Sequence, residues 1–327
     1  MTSGRTDVND AALASFTALH EQFQNTPLAN IDAKALRAWH RKPNLWQRLL
    51  PLFARQAGLK SDFCHVDGHS LQYWAGGCPS GPVVVLLHGF GSSKENWAYL
   101  TAKLRKTYYL VVPDIPGFGQ SDFIFEAEYH LAAQADRLAL WLKQIGVERA
   151  HFVGSSMGGA IAAQIAARHP SLVNKLCLMN SAGAPGKHIT QLESGIAAGV
   201  NYLAPTKARD AWQVFAIAMH PRQRWFGILL GILMGGAMSQ RKALNDFLFG
   251  KLVESLADTY VSLATISAPT LVLWGDSDQV LDVNCADVFC EQIGNAKAMV
   301  LPSVGHLPML EVPSLTSRIL HDFWRAN

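Results

Sequence analysis

No apolar run in this 327-residue chain is long enough to cross a bilayer as a helix. The apolar stretch between Arg224 and Arg241 is sixteen uncharged residues, four of them glycine, short of the ~20 that a spanning helix needs. Cysteine is scarce as well. The five residues Cys64, Cys78, Cys177, Cys285 and Cys290 are odd in number, scattered and without a C-x-x-C pair, which points to a reduced compartment and away from a disulfide framework or a zinc site. Net charge is only +3, too little to argue for nucleic acid, and no RNA-binding aromatic signature is present. The polar N-terminus, Met1 to Asp10, is not followed by the apolar core of a secretory signal, so the expectation is a cytoplasmic protein. Without internal repeats or low-complexity tracts, the length suits one domain of about 250 residues plus an insertion or terminal element.

What is present changes character along the chain. Residues 1–60 read as a helical segment with an apolar stripe, Leu36, Trp39, Leu45, Trp46, Leu49, Leu50 and Phe53, interrupted by Pro43 and Pro51. From about Asp62 strands take over: Cys64 to Val66 and Ser70 to Trp74 read as a hairpin turned by Asp67-Gly68. Continuous apolar runs follow at Val83 to Leu87, Tyr108 to Val112, His151 to Val153, Leu176 to Met179, Thr270 to Trp274 and Ala298 to Leu301, with helical segments between them. That alternation predicts an α/β fold, a mostly parallel central sheet with helices on both faces and reactive groups in loops at the C-terminal strand ends. Between about Ala184 and Leu263 the strand rhythm stops. The expected organisation is an N-terminal segment (1–60), a core (61–183 and 264–327) and a helical cap (184–263).

Within the core, Gly154-Ser155-Ser156-Met157-Gly158 stands between an apolar strand and an alanine-rich helix. That is the setting of a nucleophile elbow, with glycines that permit a tight turn and lift the Ser156 hydroxyl clear of the sheet. A serine hydroxyl needs an imidazole to take its proton, and the imidazole needs a carboxylate to fix its tautomer. His306 follows the last strand on a loop, after an acid-bearing loop that holds Asp276, Asp278 and Asp282. Loop length favours Asp278, while any of the three could cap a turn or helix. Cys177 to Gly186 holds no carboxylate, which closes the alternative acid position after the strand that follows the elbow. The oxyanion donors expected are the amides of Met157, at a helix start, and Phe90, in His88-Gly89-Phe90-Gly91.

These stretches, together with Lys94-Glu95-Asn96-Trp97, Asp114 to Asp122, Gly275 to Asp282 and Gly305 to Pro313, resemble the α/β-hydrolase fold family, most of all the bacterial family V lipases and the α/β-hydrolase-domain monoacylglycerol lipase. The resemblance runs from about Asp62 to the C-terminus. It implies a Ser156, Asp278, His306 triad, an acyl-enzyme route for carboxylic esters such as monoacylglycerols, a small-molecule acyl ester as partner, and no metal or organic cofactor. Serine at the elbow argues against haloalkane dehalogenase and epoxide hydrolase chemistry. A C–C bond hydrolase of the meta-cleavage type uses the same triad and is the alternative, and a non-catalytic binding protein on this scaffold is a further one. The resemblance makes Asp114, Gly117, Gly119, Ser121, Glu311 and Pro313 loop architecture.

From Lys34 to Lys60 there are seven basic residues and no acidic one. The cap adds Arg222, Arg224, Trp225, Phe226, Arg241 and Lys242 around Gly227, Gly231 and Gly235. Two readings are open. Either both segments border the site and make peripheral contact with an anionic lipid surface, or their apolar stripes pack inward and the basic residues are merely solvated.

Overall fold

The computed structural model describes residues 3–42 and 44–326. Met1, Thr2 and Pro43, the last named above as a break in the stripe, lie outside the described residues, as does the side chain of Leu45. The strands are β1 (Lys60–Val66), β2 (His69–Gly77), β3 (Val83–Leu87), β4 (Tyr109–Pro113), β5 (Ala150–Ser155), β6 (Val173–Met179), β7 (Thr270–Gly275) and β8 (Ala296–Leu301). They form one sheet in the order β1-β2-β4-β3-β5-β6-β7-β8. β2 runs antiparallel to both its neighbours, and every pair from β4 to β8 is parallel. Each apolar run expected as a strand is one. The hairpin turns at Asp67 and Gly68, both at positive φ (48° and 76°), as a two-residue D-G turn requires.

Among the described residues fourteen α-helices accompany the sheet. In the N-terminal part are α1 (Ser3–Gln24), α2 (Ala33–Arg37) and α3 (Leu45–Ala57). Through the first half of the sheet come α4 (Ala98–Leu104), α5 (Leu131–Gln144) and α6 (Met157–Arg168). Between β6 and β7 the chain is helical only, with α7 (Gln191–Ala197), α8 (Trp212–Ala218), α9 (Arg224–Gln240), α10 (Lys242–Glu254) and α11 (Leu256–Ser262). After β7 follow α12 (Cys285–Gln292), α13 (Pro308–Glu311) and α14 (Pro313–Arg325).

Alternation along the strands divides the core in two. In β3, Val85 and Leu87 join the cluster built with Leu138 of α5, Ile161 of α6 and Phe289 of α12, while Val84 and Leu86 face Leu100 of α4 and Leu320 of α14. A strand apolar on both faces is thus covered on both. α1 lies on the inserted helices, with Phe16 against Tyr260 and Phe23 against Phe249 at ring separations of 6.0 and 5.7 Å. The stripe of α2 and α3 faces the protein. Leu36 and Leu50 are buried, and Trp39 sits edge-on to Phe123 under the Arg241 guanidinium. Gly227, Gly231 and Gly235 form the seam between α9 and the segment before it, where a Cβ would lie 2.6 Å from Phe215 Cβ, 2.6 Å from Trp212 Cα and 2.2 Å from Ala208 O.

One core contact makes stability depend on pH. The His151 ring of β5 stacks on Trp324 of α14 at 5.5 Å, with its Nδ1 buried and unpartnered among the described residues. Burial, then Lys175 and Arg149, pushes its pKa from 6.5 down to about 4. The unfolded chain therefore takes up this proton near 6.5 and the folded protein only near 4, so its full contribution above pH 6.5 is lost progressively as pH falls toward 4. His151→Phe keeps the stack without the proton. It is expected to flatten the acid side of the Tm curve, gaining ~2–3 °C on wild type between pH 7.5 and pH 5. Parallel curves for the two proteins would contradict this.

Candidate active site

Ser156 occupies the sharp corner between β5 and α6, at φ 55° and ψ −121°, a conformation that side-chain-bearing residues rarely adopt. Strain of this kind persists only where the surroundings enforce it. Here they do so through two glycines. A Cβ on Gly154 would lie 2.1 Å from Gly158 O, and one on Gly158 would lie 2.3 Å from Leu87 O. Neither glycine has positive φ; what the elbow needs at both is room for backbone to touch backbone. The Ser156 amide donates to Met179 O of β6 at 3.1 Å, which fixes the corner to the neighbouring strand.

The acid and the histidine meet across the ends of β7 and β8. His306 Nδ1 lies 2.6 Å from Asp278 Oδ2, with both side chains buried. The same oxygen accepts from Asn180 Nδ2 at 2.8 Å, while Oδ1 accepts from the amides of Val280 (2.7 Å) and Leu281 (3.0 Å). A carboxylate held by four donors cannot rotate, and donation from His306 Nδ1 leaves Nε2 as the ring's acceptor. The other two candidate acids do local work. Asp276 accepts from the Ser303 amide and the Ser277 hydroxyl, and Asp282 accepts from the amides of Lys187, His188 and Asn284.

Two residues that the sequence reading did not single out for the site hold it in place. Asn180, at φ 45° just beyond β6, stands where a carboxylate was sought and not found, and it supplies the amide that braces Asp278. Glu311, loop architecture by the family resemblance, does more. It accepts from the amides of Gly305 (3.0 and 3.1 Å), Leu307 (3.3 Å) and His220 (2.8 Å), clamping the His306 loop to the end of α8. The His306 amide itself donates to Ala218 O at 2.6 Å. Gly275 permits the two loops to touch, since a Cβ there would lie 2.1 Å from Gly305 O.

Phe90 and Met157 flank the serine. The Met157 amide begins α6 and so has no intrahelical acceptor, which leaves it with the helix's positive end to face an anion. The Phe90 amide has no backbone acceptor among the described residues. The strand end before it is rigid: His88 Nε2 accepts from the Ile115 amide at 3.0 Å and Nδ1 sits 2.8 Å from Gly89 O. Burial pushes the His88 pKa down to about 4, so it stays neutral in this bracing role. The Asp114 loop is braced by charge as well. Asp114 accepts from Lys94 Nζ at 2.5 Å and from the amides of Lys94 and Gln120, and a Cβ on Gly119 would strike it at 2.1 Å.

Ser156, His306, Phe90 and Gly89 line one cavity of about 70 Å³, closed by Leu203, Val214, Phe215, Met234, Met238 and Leu307. No acidic or basic side chain other than His306 lines it. Among the described residues no cluster of His, Cys, Asp or Glu could hold a metal ion. A hydroxyl, an imidazole and Phe90 on a small apolar cavity, with the unspent Met157 amide next to Ser156 in the chain, are the parts that acyl transfer requires.

Comparison with known proteins agrees with this architecture. The pattern of the α/β hydrolase fold family matches residues 82–215. Lipase 1 of Psychrobacter immobilis is 30% identical over 75% of this chain and 77% of its own length. A monoacylglycerol lipase of Xenopus laevis is 29% identical over 82% of this chain and 83% of its own. Among solved structures, a bacterial membrane phospholipase A described as a virulence factor superposes with a TM-score of 0.77 at 32% identity, covering 86% of this chain and 90% of that one. A meta-cleavage product hydrolase of Pseudomonas fluorescens, at 24% identity, a TM-score of 0.70 and 80% and 97% coverage, shares the fold. The chain belongs to the α/β-hydrolase fold family. Within that family its relatives at or near 30% identity place it among the carboxylester hydrolases.

Proposed function

We propose that the protein hydrolyses carboxylic esters with apolar acyl groups, monoacylglycerols or simple esters, through an acyl-enzyme on Ser156. His306 takes the Ser156 proton through Nε2 as the hydroxyl attacks the ester carbonyl, and the resulting oxyanion is met by the amides of Phe90 and Met157. The imidazolium, held by Asp278, then protonates the departing alcohol. Water enters, His306 accepts its proton, and the acyl group leaves as the free acid. The observation that carries this reading is the 2.6 Å bond from Asp278 to His306 on the cavity that Ser156 also lines. The names of the relatives, lipase and monoacylglycerol lipase, support the ester and its acyl character. The C–C hydrolase alternative would need a cationic group for its anionic substrate; no Lys or Arg lines the cavity at Ser156 itself, and the names of the relatives near 30% identity favour the ester.

The test is hydrolysis of p-nitrophenyl esters from acetyl to palmitoyl, beside labelling of Ser156 by a fluorophosphonate. Turnover with a clear chain-length optimum is expected. Labelling without turnover on any ester would move the C–C hydrolase into first place, and neither labelling nor turnover would favour a binding protein.

The division into an N-terminal segment, core and cap at 61, 184 and 264 belongs to the same reading, with α3 and the inserted helices roofing the site. So does peripheral contact with a lipid surface. Trp225, Ile228, Leu229 and Ile232 are exposed at helical spacing on the outer face of α9, with Arg222 and Arg224 beside them. Exposed Leu52, Arg48 and Arg55 lie on α3, which packs on α9. A helix with this outer face suits anionic lipid. Among the described residues no helix is long and apolar enough to cross a membrane. Flotation with phosphatidylglycerol vesicles is expected for wild type and lost on Ile232→Asp with Arg224→Glu; failure of wild type to float would sink the membrane contact.

A further inference from the structure

A cavity of about 330 Å³, larger than the one of about 70 Å³ that holds Ser156, adjoins it. It lies between α2–α3, the loop after β3 and the C-terminal half of α9, and it shares Gly91, Ser92, Met234 and Met238 with the Ser156 cavity. Apart from the two methionines its wall is unlike its neighbour's, carrying Arg41, Arg241, Lys42 and Glu95 beside the indoles of Trp39 and Trp46.

The two arginines are oriented by neutral groups only. Arg41 donates to the carbonyls of Gln120 (3.2 Å) and Ser121 (3.0 Å), and Arg241 donates to Gly117 O and lies over the rings of Trp39 (5.2 Å) and Phe118 (5.9 Å). Among the described residues neither has a carboxylate in ion-pair range. Asp114 acts on both arginines and Asp122 on Arg41, but the oxygens of Asp114 are already taken by Lys94 and Gln120. Glu95 also lines the cavity and is buried, its oxygens accepting no hydrogen bond, with Lys94 Nζ at 3.5 Å. Burial, then Asp114, pushes its pKa up against the opposing pull of Lys94. Burial, then Arg41, pushes Arg241 down to about 10. Desolvated cations without a counter-ion are costly, and a bound anion relieves that cost.

We propose that this chamber is a second subsite of the active site and receives an anionic group, phosphate or carboxylate, carried at one end of the ester, with Arg41 and Arg241 as its ligands and Trp39 and Trp46 covering the chain that leads to it. The proposal rests on the ester-hydrolase reading of Ser156. Guanidinium groups bind both oxyanions through paired hydrogen bonds. The shared methionines, unbranched and adaptable, form the partition through which a substrate reaches from one cavity into the other.

The test compares matched esters that differ in one charge. One arm places it on the alcohol, 1-butyrylglycerol 3-phosphate against 1-butyrylglycerol; the other places it on the acyl group, p-nitrophenyl hydrogen adipate against p-nitrophenyl hexanoate. Wild type is expected to prefer the anionic member of at least one pair by tenfold or more in kcat/KM. Arg41→Gln and Arg241→Met are each expected to cut that preference at least tenfold, whichever arm shows it, and the arm identifies the source of the charge. Equal losses on charged and neutral members would assign the arginines a purely structural role and overturn the proposal, as would a wild type indifferent to charge in both arms. Binding of hexyl phosphate to Ser156→Ala, followed through tryptophan fluorescence with hexanol as control, reads the site without turnover. Saturable quenching by the phosphate alone, weakened in the Arg41→Gln background, supports the subsite even if no ester is cleaved; identical responses to phosphate and alcohol refute it.

Discussion

Replacing Ser156 by alanine is expected to lower kcat on p-nitrophenyl butyrate by on the order of 10⁵–10⁶, the loss that follows removal of a triad nucleophile from a site that retains its oxyanion donors. The fold should not notice. Ser156 makes its structural contacts through the backbone, with the amide bound to Met179 O and the carbonyl accepting from Gly159, Ala160 and Ala182. Alanine at φ 55° carries the same Cβ that serine does, and the approach of Gly89, where an added Cβ would lie 3.2 Å from Ser156 Cβ, is unchanged. Tm is therefore expected within ~2 °C of wild type. A residual rate within tenfold of wild type, with clean protein and an unchanged Tm, would mean that another group is the nucleophile.

Asp278→Asn is the second large effect, a fall in kcat of about 10⁴. The geometry says why an almost isosteric change is so costly. The amides of Val280 and Leu281 at 2.7 and 3.0 Å fix one position as an acceptor, so the asparagine oxygen must point there. Its NH₂ is then turned toward His306 Nδ1 and Asn180 Nδ2, both of which now donate to Asp278. Asn180 can answer by flipping its amide, because its Oδ1 is buried and unpartnered. His306 can answer only by moving its proton to Nε2, which leaves no acceptor for the serine proton. Asp276→Asn serves as the control. That side chain bonds the Ser303 amide and Ser277 on the exposed rim, so kcat should stay within about threefold. If Asp276→Asn were the crippling change and Asp278→Asn the mild one, the acid would have been misassigned.

The sheet was legible because its chemistry is local. Runs such as Val83 to Leu87 are apolar at every position and too short for a helix, which suits a strand covered on both faces, and their alternation with helical segments implied a parallel sheet; the order of the strands across it comes from long-range pairing alone. The proposed nucleophile and base stand out in the sequence for a related reason: Ser156 directly follows the end of β5, and His306 follows the end of β8 through four loop residues, each beside glycines that announce a turn. Asp278 could be favoured but not separated from Asp276 and Asp282, since all three share a loop. What separates them is the His306 Nδ1 to Oδ2 bond, a contact between positions 28 residues apart. Asn180 was passed over because a carboxylate was sought there, whereas an amide donor to Asp278 was what the site holds.

The N-terminal segment shows where sequence runs out. Its basic residues and apolar stripe suited a lipid surface and a packed helix equally well. Leu36 and Leu50 turned inward, Arg37 paired with Glu126, and Arg41 reached the carbonyls of a loop some 80 residues away. Nothing in the spacing of Lys34 to Lys60 says that Arg41 and Arg241 face one chamber, because the two come together only through the packing of α3 on α9. The exposed apolar face belongs to α9, whose glycines are used on the opposite side to seat α8.

A covalent acyl group on Ser156 would be caught by rapid-quench mass spectrometry of the protein mixed with p-nitrophenyl butyrate. The account predicts a burst of p-nitrophenol matched by a butyryl adduct on the peptide that carries Ser156, absent in Ser156→Ala and accumulating further in a variant with slowed deacylation. Steady product release with no adduct on that peptide at any quench time, in either background, would contradict it.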